Sequence, residues 1–286
     1  VSAPVLKVER LRMQFGGLVA VDDVSFEVPE NSITAMIGPN GAGKTTVFNC
    51  LTGFYRPTSG RIVMRADDVW HNLERLEGYE VARRARVART FQNIRLFSRM
   101  TVLENLIVAQ HNVLMRASGY SFFGLLGLPR FKRAEAAAIE RARRWLEKIN
   151  LVDKADQEAG ELPYGNQRLL EIARAMCMEP KLLCLDEPAA GLNASESEKL
   201  GELILSIRTE EACSVLLIEH DMSVVMKISD KVIVLDHGAK IADGSPVEIR
   251  NDPHVIRAYL GEDEDDPLPE FIATDIDGEA RGASVE

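Results

Sequence analysis

The stretch GPNGAGKTT, residues 38–46, follows directly on the apolar run ITAMI. From Gly38 to Thr45 its spacing is G-x-x-x-x-G-K-[ST], a pattern whose chemistry is phosphate binding. Glycines let the backbone wrap an anion closely with its N–H groups pointing inward. A helix starting at the end of the loop adds its positive N-terminal end. Lys44 has the reach for β- and γ-phosphates, the Thr45 hydroxyl is placed to ligate Mg²⁺, and Thr46 adds a phosphate contact. Gly38, Pro39, Asn40, Gly41, Ala42, Gly43, Lys44, Thr45 and Thr46 are therefore the expected cradle of a nucleoside triphosphate. The full pattern between an apolar strand and a helix leaves little room for a mere glycine-rich turn.

A second stretch, KLLCLDEP, supplies the other half of such a site. Its apolar residues read as a buried strand that delivers Asp186 to a rim, where a carboxylate can hold the magnesium shell. Glu187 follows at once, and a carboxylate beside the γ-phosphate can orient and deprotonate an attacking water. Hydrolysis is favoured over transfer, which would need a site for a second substrate.

The elements that must position these groups alternate. LKVERLRMQF, DDVSFEV and GRIVM read as strands of an N-terminal β region. SITAMI, KLLCLDEP and CSVLLIEHD read as short buried strands, each ending in functional-looking residues, and the first two are each followed by a helix. That order predicts an α/β fold with a mostly parallel sheet covered on both faces. Ligands then sit outside the carboxyl ends of the strands, so Gly38 onward, Asp186–Glu187 and His220–Asp221 should gather at one rim. Residues 73–148 read mostly as helix, interrupted near SGYSFFGLLGLP. KVIVLDHGAKIADG reads as a hairpin turning at His237–Gly238, and SPVEIRNDPHVIRAYL as one closing helix.

Charge is unevenly placed. The 286 residues carry a net −10, and residues 262–286 hold ten acids against Arg281 alone, which leaves the remainder near −1. This acidic tail lacks periodicity and reads as disordered. Two basic runs oppose it, residues 83–99 and 130–148. The second has helical spacing with Ala and Leu between its charges and reads as a solvated helix face, so nucleic acid is not an expected partner. Cys50, Cys177, Cys184 and Cys213 are widely spaced among apolar residues and read as buried reduced thiols, which suits the cytosol. No stretch reaches the roughly 18 apolar residues of a membrane span, and no signal peptide is expected at the N-terminus.

Five further motifs give the chain its resemblance to the nucleotide-binding subunits of ATP-binding cassette transporters, from about Leu6 to Leu260. Phe15 in RMQFGG matches the aromatic that stacks on adenine, and Gln92 in RTFQNIRLF matches the glutamine loop that touches magnesium, the water and the membrane partner. PYGNQ occupies the signature position, AAGLN the D-loop, and His220 in IEHDM the switch histidine at the γ-phosphate. The resemblance implies a P-loop core with an N-terminal antiparallel β subdomain and a helical subdomain inserted at about residues 92–175, all within residues 1–260, with 261–286 as the tail. It implies Glu187, His220 and Gln92 as catalytic residues. Thr45, Gln92 and Asp186 are its implied magnesium ligands, and ATP with Mg²⁺ its cofactors.

The signature departs from the usual LSGGQ. Tyr164 stands at the serine and Asn166 at the second glycine, while Gly165 and the Asn166 backbone keep N–H donors and Gln167 completes the motif. Asn193 stands where the D-loop usually carries aspartate. In this family the signature completes the site of a second ATPase subunit, a copy or a sibling, so two chains sandwich two ATP molecules. Further implied partners are two transmembrane permeases and, indirectly, a periplasmic substrate-binding protein. That places the chain peripherally on the cytoplasmic face of the cytoplasmic membrane, with the basic run around Gln92 near the permease. TFQNIRLFSRMTVLENLIVAQH and the long helical insert are similar to the ATP-binding subunits of high-affinity branched-chain amino acid importers. Urea or short-amide importers and lipopolysaccharide exporters remain alternatives, the latter disfavoured by the insert. A soluble cassette ATPase of DNA repair or translation is a rival from another class. The chain lacks the long coiled coil, zinc cysteines or second cassette usual there.

Overall fold

The computed structural model describes residues 3–117 and 129–260. The acidic tail and residues 118–128 of the insert lie outside the described residues. The strands are β1 (Pro4–Phe15), β2 (Leu18–Pro29), β3 (Ile33–Ile37), β4 (Ser59–Ala66), β5 (Val69–Asn72), β6 (Val87–Arg89), β7 (Leu182–Asp186), β8 (Ser214–Ile218), β9 (Lys231–Asp236) and β10 (Ala239–Gly244). The helices are α1 (Lys44–Leu51), α2 (Gly78–Arg84), α3 (Val102–Val108), α4 (His111–Ala117), α5 (Pro129–Lys148), α6 (Tyr164–Met176), α7 (Ala194–Glu210), α8 (Met222–Ile228), α9 (Pro246–Arg250) and α10 (Pro253–Leu260).

Two sheets result, an antiparallel one ordered β2-β1-β4-β5 and a six-stranded one ordered β10-β9-β3-β8-β7-β6. In the second, β9, β3, β8, β7 and β6 run parallel and β10 folds back antiparallel on β9. Every residue of β3, β7 and β8 is buried, as the continuous apolar runs demand of strands covered on both faces. On one face α1 presses Val47, Phe48 and Leu51 against Leu6, Leu11 and Val24 of the antiparallel sheet. On the other, α3, α5, α6 and α7 pack Leu106, Trp145, Leu170 and Ile204 into a second core. Each such side chain contributes about 1.5–3 kcal/mol by leaving water.

Ala138, Ala142, Trp145, Leu146 and Ile149 line the buried face at and just beyond α5. Their helical spacing leaves most arginines and glutamates of the basic run outside, as expected of a solvated helix face. The hairpin turns where expected, with φ of +44° at His237 and +80° at Gly238, the primed-turn geometry that suits twisted strands. All four cysteines are free and buried, and burial pushes their thiols up to about 12. Among the described residues no helix is long and apolar enough to cross a membrane.

One expectation about local structure is corrected and one is incomplete. The described part of residues 73–148 is mostly helix, as expected, and it also holds a strand: α2 stops at Arg84, β6 joins the sheet edge, and residues 90–100 form no regular element. The cause is tertiary, because Val87, Ala88 and Arg89 pair with Leu182, Leu183 and Cys184 of β7. The closing segment is two helices rather than one. Pro253 restricts Asp252 before it and has no N–H to continue α9, so a new helix starts there.

Candidate functional site

The loop between β3 and α1 takes the shape its glycines permit. Gly38 has φ +146°, and a Cβ there would run into the Leu235 carbonyl of β9. Gly43 stands at the N-cap of α1 with φ +99°, where a Cβ would lie 2.7 Å from the Ala20 carbonyl. The first turn of α1 receives no side-chain cap and contains no acid, so its positive end is open to an anion. Lys44 is buried and folds back across the loop, donating to Gly38 O at 2.6 Å and Pro39 O at 2.9 Å. Burial pulls its ammonium below the ordinary lysine range, while the charges of Glu187 and Asp186 push the other way. Gly38 and Ala42 are buried and Pro39 is half-buried, while Asn40, Gly41 and Thr45 are exposed and Thr46 half-buried.

Asp186 ends β7 and is buried, and one carboxylate oxygen accepts from Arg89 Nη2 at 2.7 Å. Arg89 also donates to Asn49 Oδ1 at 2.7 Å and Thr52 Oγ1 at 3.1 Å. Its guanidinium sits 5.7, 5.6 and 5.2 Å from the rings of Phe48, Phe54 and Phe91. Arg89 was legible only as one cation in a basic run; its place beside Asp186 comes from β6 pairing with β7.

Glu187 follows at φ +49°, a conformation uncommon for a non-glycine residue and frequent at functional sites. Its N–H donates to Ile218 O of β8 at 2.9 Å. Gln92 Nε2 donates to Glu187 Oε2 at 2.8 Å, and His220 Nε2 lies 2.5 Å from Glu187 Oε1. The three residues therefore meet, although 95 and 33 positions separate the carboxylate from its two partners. Glu219, which sequence reasoning missed, holds the neighbouring turns together: its carboxylate accepts from Ala189 N at 2.6 Å and His220 N at 3.1 Å. Burial raises its pKa, and those N–H groups lower it.

Phe15 ends β1 half in solvent, with its ring edge-on to Tyr55 at 5.2 Å and 77°. Tyr55 was not singled out; its only signal was an aromatic pair, Phe54–Tyr55, after the loop helix. Tyr164, Gly165, Asn166 and Gln167 form the first turn of α6. Tyr164 is 46% exposed and lies against Gly191, whose Cβ position is 3.4 Å from the ring. Gly165 is buried where a Cβ would strike the Glu196 carboxylate. Gln167 turns back to donate to Leu162 O at 2.8 Å. The Asn193 side chain caps α7 by accepting from Glu196 N at 3.0 Å, in a capping box that Glu196 closes at 3.1 Å.

The donor set fits magnesium carried in on phosphates. Among the described residues no group of three His, Cys, Asp or Glu forms a cage for a metal. One carboxylate at Asp186 and the exposed Thr45 hydroxyl suit an ion that keeps waters and phosphate oxygens as its other ligands.

Comparisons with known proteins show which family the chain resembles. A family model described as ABC transporter matches residues 21–190. One described as branched-chain amino acid ATP-binding cassette transporter matches residues 239–265. The chain is 54% identical over 261 residues to the high-affinity branched-chain amino acid transport ATP-binding protein LivG of Salmonella typhimurium, covering 91% of this chain and 99% of that protein. It is 53% identical over 262 residues to the corresponding protein BraF of Pseudomonas aeruginosa, with the same coverage. Among solved structures, the ADP conformation of an ATP-binding cassette of an ABC transporter matches with TM-score 0.75 at 30% identity, covering 91% of this chain and all of that one. A nucleotide-free ATP-binding cassette matches with TM-score 0.74 at 31% identity over the same 91%. The chain belongs to the ATP-binding cassette family, in its branched-chain amino acid transport branch.

Proposed function

We propose that this chain is the ATP-hydrolysing subunit of a branched-chain amino acid importer, working as one of a face-to-face pair of ATPases beneath two permeases. The observation that carries the hydrolytic reading is the meeting of Gln92, Glu187 and His220 beside Lys44 and Asp186. The solute follows from the names of relatives with this degree of identity. Residues 1–260 are the nucleotide-binding unit, with about 92–175 as its inserted helical part. The site lies on the cytoplasmic face of the membrane, where ATP is available.

In this reading the glycine loop and Lys44 hold the β- and γ-phosphates, Thr46 adds a contact, and Phe15 stacks on adenine with Tyr55 steadying its ring. Thr45, Asp186 and Gln92 would hold magnesium, which would neutralise phosphate charge when bound. Glu187, gripped on both oxygens, accepts the proton of the attacking water, and His220 and Gln92 set its direction. Tyr164, Gly165, Asn166 and Gln167 face the nucleotide held by the second subunit. A groove of about 530 Å³ beside Gln92, lined by Phe54, Val81, Phe91, Arg95, Phe97 and Met178, is the permease seat. ATP charge joins the two faces and its hydrolysis releases them, and the differing affinities of the open and closed states drive the permeases.

The test is reconstitution of the chain with its permeases, second ATPase and binding protein in proteoliposomes. ATP-dependent accumulation of leucine, isoleucine or valine is the expected result. Accumulation of urea or a short amide instead would move the solute assignment, and absence of ATP hydrolysis would overturn the whole reading.

A further inference from the structure

Just beyond the signature turn, α6 carries Arg168 and Glu171, which have no part in the nucleotide contacts assigned above. Their side chains are 0% and 2% exposed and pair at 2.9 Å. Removing both charges from water costs several kcal/mol per ion unless further hydrogen bonds satisfy them, and apolar residues of similar volume often serve stability as well. Here the remaining bonds go to the segment around Gln92 and to the Tyr164 hydroxyl, while Arg168 Nε has no hydrogen-bond partner. Arg168 donates from Nη1 to Phe91 O at 2.8 Å and from Nη2 to Gln92 O at 2.7 Å. Nη2 also reaches the Tyr164 hydroxyl at 3.1 Å. Glu171 accepts from Arg95 N at 3.0 Å through its second oxygen. Three main-chain groups of the irregular segment around Gln92 are thus held by two side chains of one helix.

The planar guanidinium fork fixes direction as well as distance, which a lysine ammonium does not. The same Gln92 reaches Glu187 at 2.8 Å with its side chain. A continuous path therefore runs from the Tyr164 hydroxyl through Arg168 to the Gln92 main chain, and from the Gln92 side chain to Glu187.

We propose that Arg168, braced by Glu171, is a positioning residue that locks the Gln92 segment to the signature turn. Through this lock, the nucleotide pressed on Tyr164 by the opposite subunit sets the aim of this chain's own Glu187. The inference rests on the sandwich reading of the preceding section. It gives each site a physical reason to respond to the occupancy of the other, through one side chain bonded both to the signature turn and to the Gln92 segment.

The experiment uses the full chain assembled with its permeases and second ATPase, and compares wild type with Arg168→Lys and Tyr164→Phe. Readouts are phosphate release against ATP concentration, binding of a fluorescent ATP analogue, and amide exchange across residues 90–96. In Arg168→Lys, kcat should fall about tenfold with analogue affinity unchanged, and the Hill coefficient should drop from about 2 towards 1. Exchange should quicken at Gln92–Arg95 and not in the glycine loop. Tyr164→Phe deletes only the exposed hydroxyl, so it tests the path in a chain that keeps its core, and it should lower the Hill coefficient with exchange at Gln92 unchanged. A cooperative wild type matched by both variants overturns the inference alone. A wild type that hydrolyses ATP without cooperativity overturns the sandwich reading and the inference with it.

Discussion

Glu187 is held from both sides: Gln92 Nε2 lies 2.8 Å from one carboxylate oxygen and His220 Nε2 lies 2.5 Å from the other. With its main chain also bonded to Ile218 O, the residue has little freedom left. A carboxylate fixed in this way needs no reorganisation when a water arrives, and such preorganisation is the main source of rate in phosphoryl chemistry.

If Glu187 is the base proposed above, replacing it should leave a site that binds and does not turn over. Glu187→Gln should lower phosphate release about 100-fold or more, the range of a general base. Nucleotide affinity should stay within a factor of about two, because no assigned binding contact is lost. ATP should then hold two subunits together, seen as a dimer by size-exclusion chromatography. Residual hydrolysis at the wild-type rate would remove Glu187 from this role.

In the proposed site two rings, Phe15 and Tyr55, form the platform for the nucleotide base. Phe15→Ala removes the stacking face and should weaken ATP binding about tenfold, whereas Tyr55→Ala removes only the edge contact and should cost about two- to fourfold. Titration with ATP and with the base-free analogue triphosphate separates the effects. Equal losses for both ligands would show that the rings do not read the base.

Arg95 lies 4.0 Å over the Phe91 ring at the groove wall and its side chain is exposed. Arg95→Glu should weaken co-purification with the permeases and leave ATP binding to the isolated chain intact. Undiminished assembly would move the permease seat elsewhere.

The four thiols give a pH signature. Each is pushed up to about 12 by burial, against about 8.5 in an unfolded chain. A raised folded pKa favours the neutral thiol in the native state. The stabilisation is therefore complete below about pH 8.5 and is lost as pH rises towards 12. At pH 8 a thiol reagent should label none of the four in the native chain and all four in guanidinium. Chemical denaturation at pH 7, 9 and 10 should show falling midpoints that a Cys-to-Ala variant flattens. Rapid native labelling would contradict the burial.

Chemistry with a fixed spacing was readable in advance. The glycine loop, the strand carrying Asp186 and Glu187, and the buried runs of β3, β7 and β8 each follow from local residue types. What escaped was whatever depends on a distant neighbour. Arg89, Arg168 and Glu219 are ordinary polar letters in the sequence, and only packing shows that each holds backbone or carboxylate groups far along the chain. The three residues of β6 were hidden because β7 alone makes them a strand. The break before Pro253 carried its own signal, and the helical periodicity on either side masked it.

Arg89 has two commitments that cannot be separated. It fastens Asp186 on one side and sits among Phe48, Phe54 and Phe91 on the other, so the groove floor and the Asp186 carboxylate share a single cation. A change in that floor would therefore also disturb the carboxylate of Asp186. Ala82, Phe97 and Met178 line the same groove outside the ring and hydrogen-bond contacts of Arg89, so they can change without disturbing Asp186.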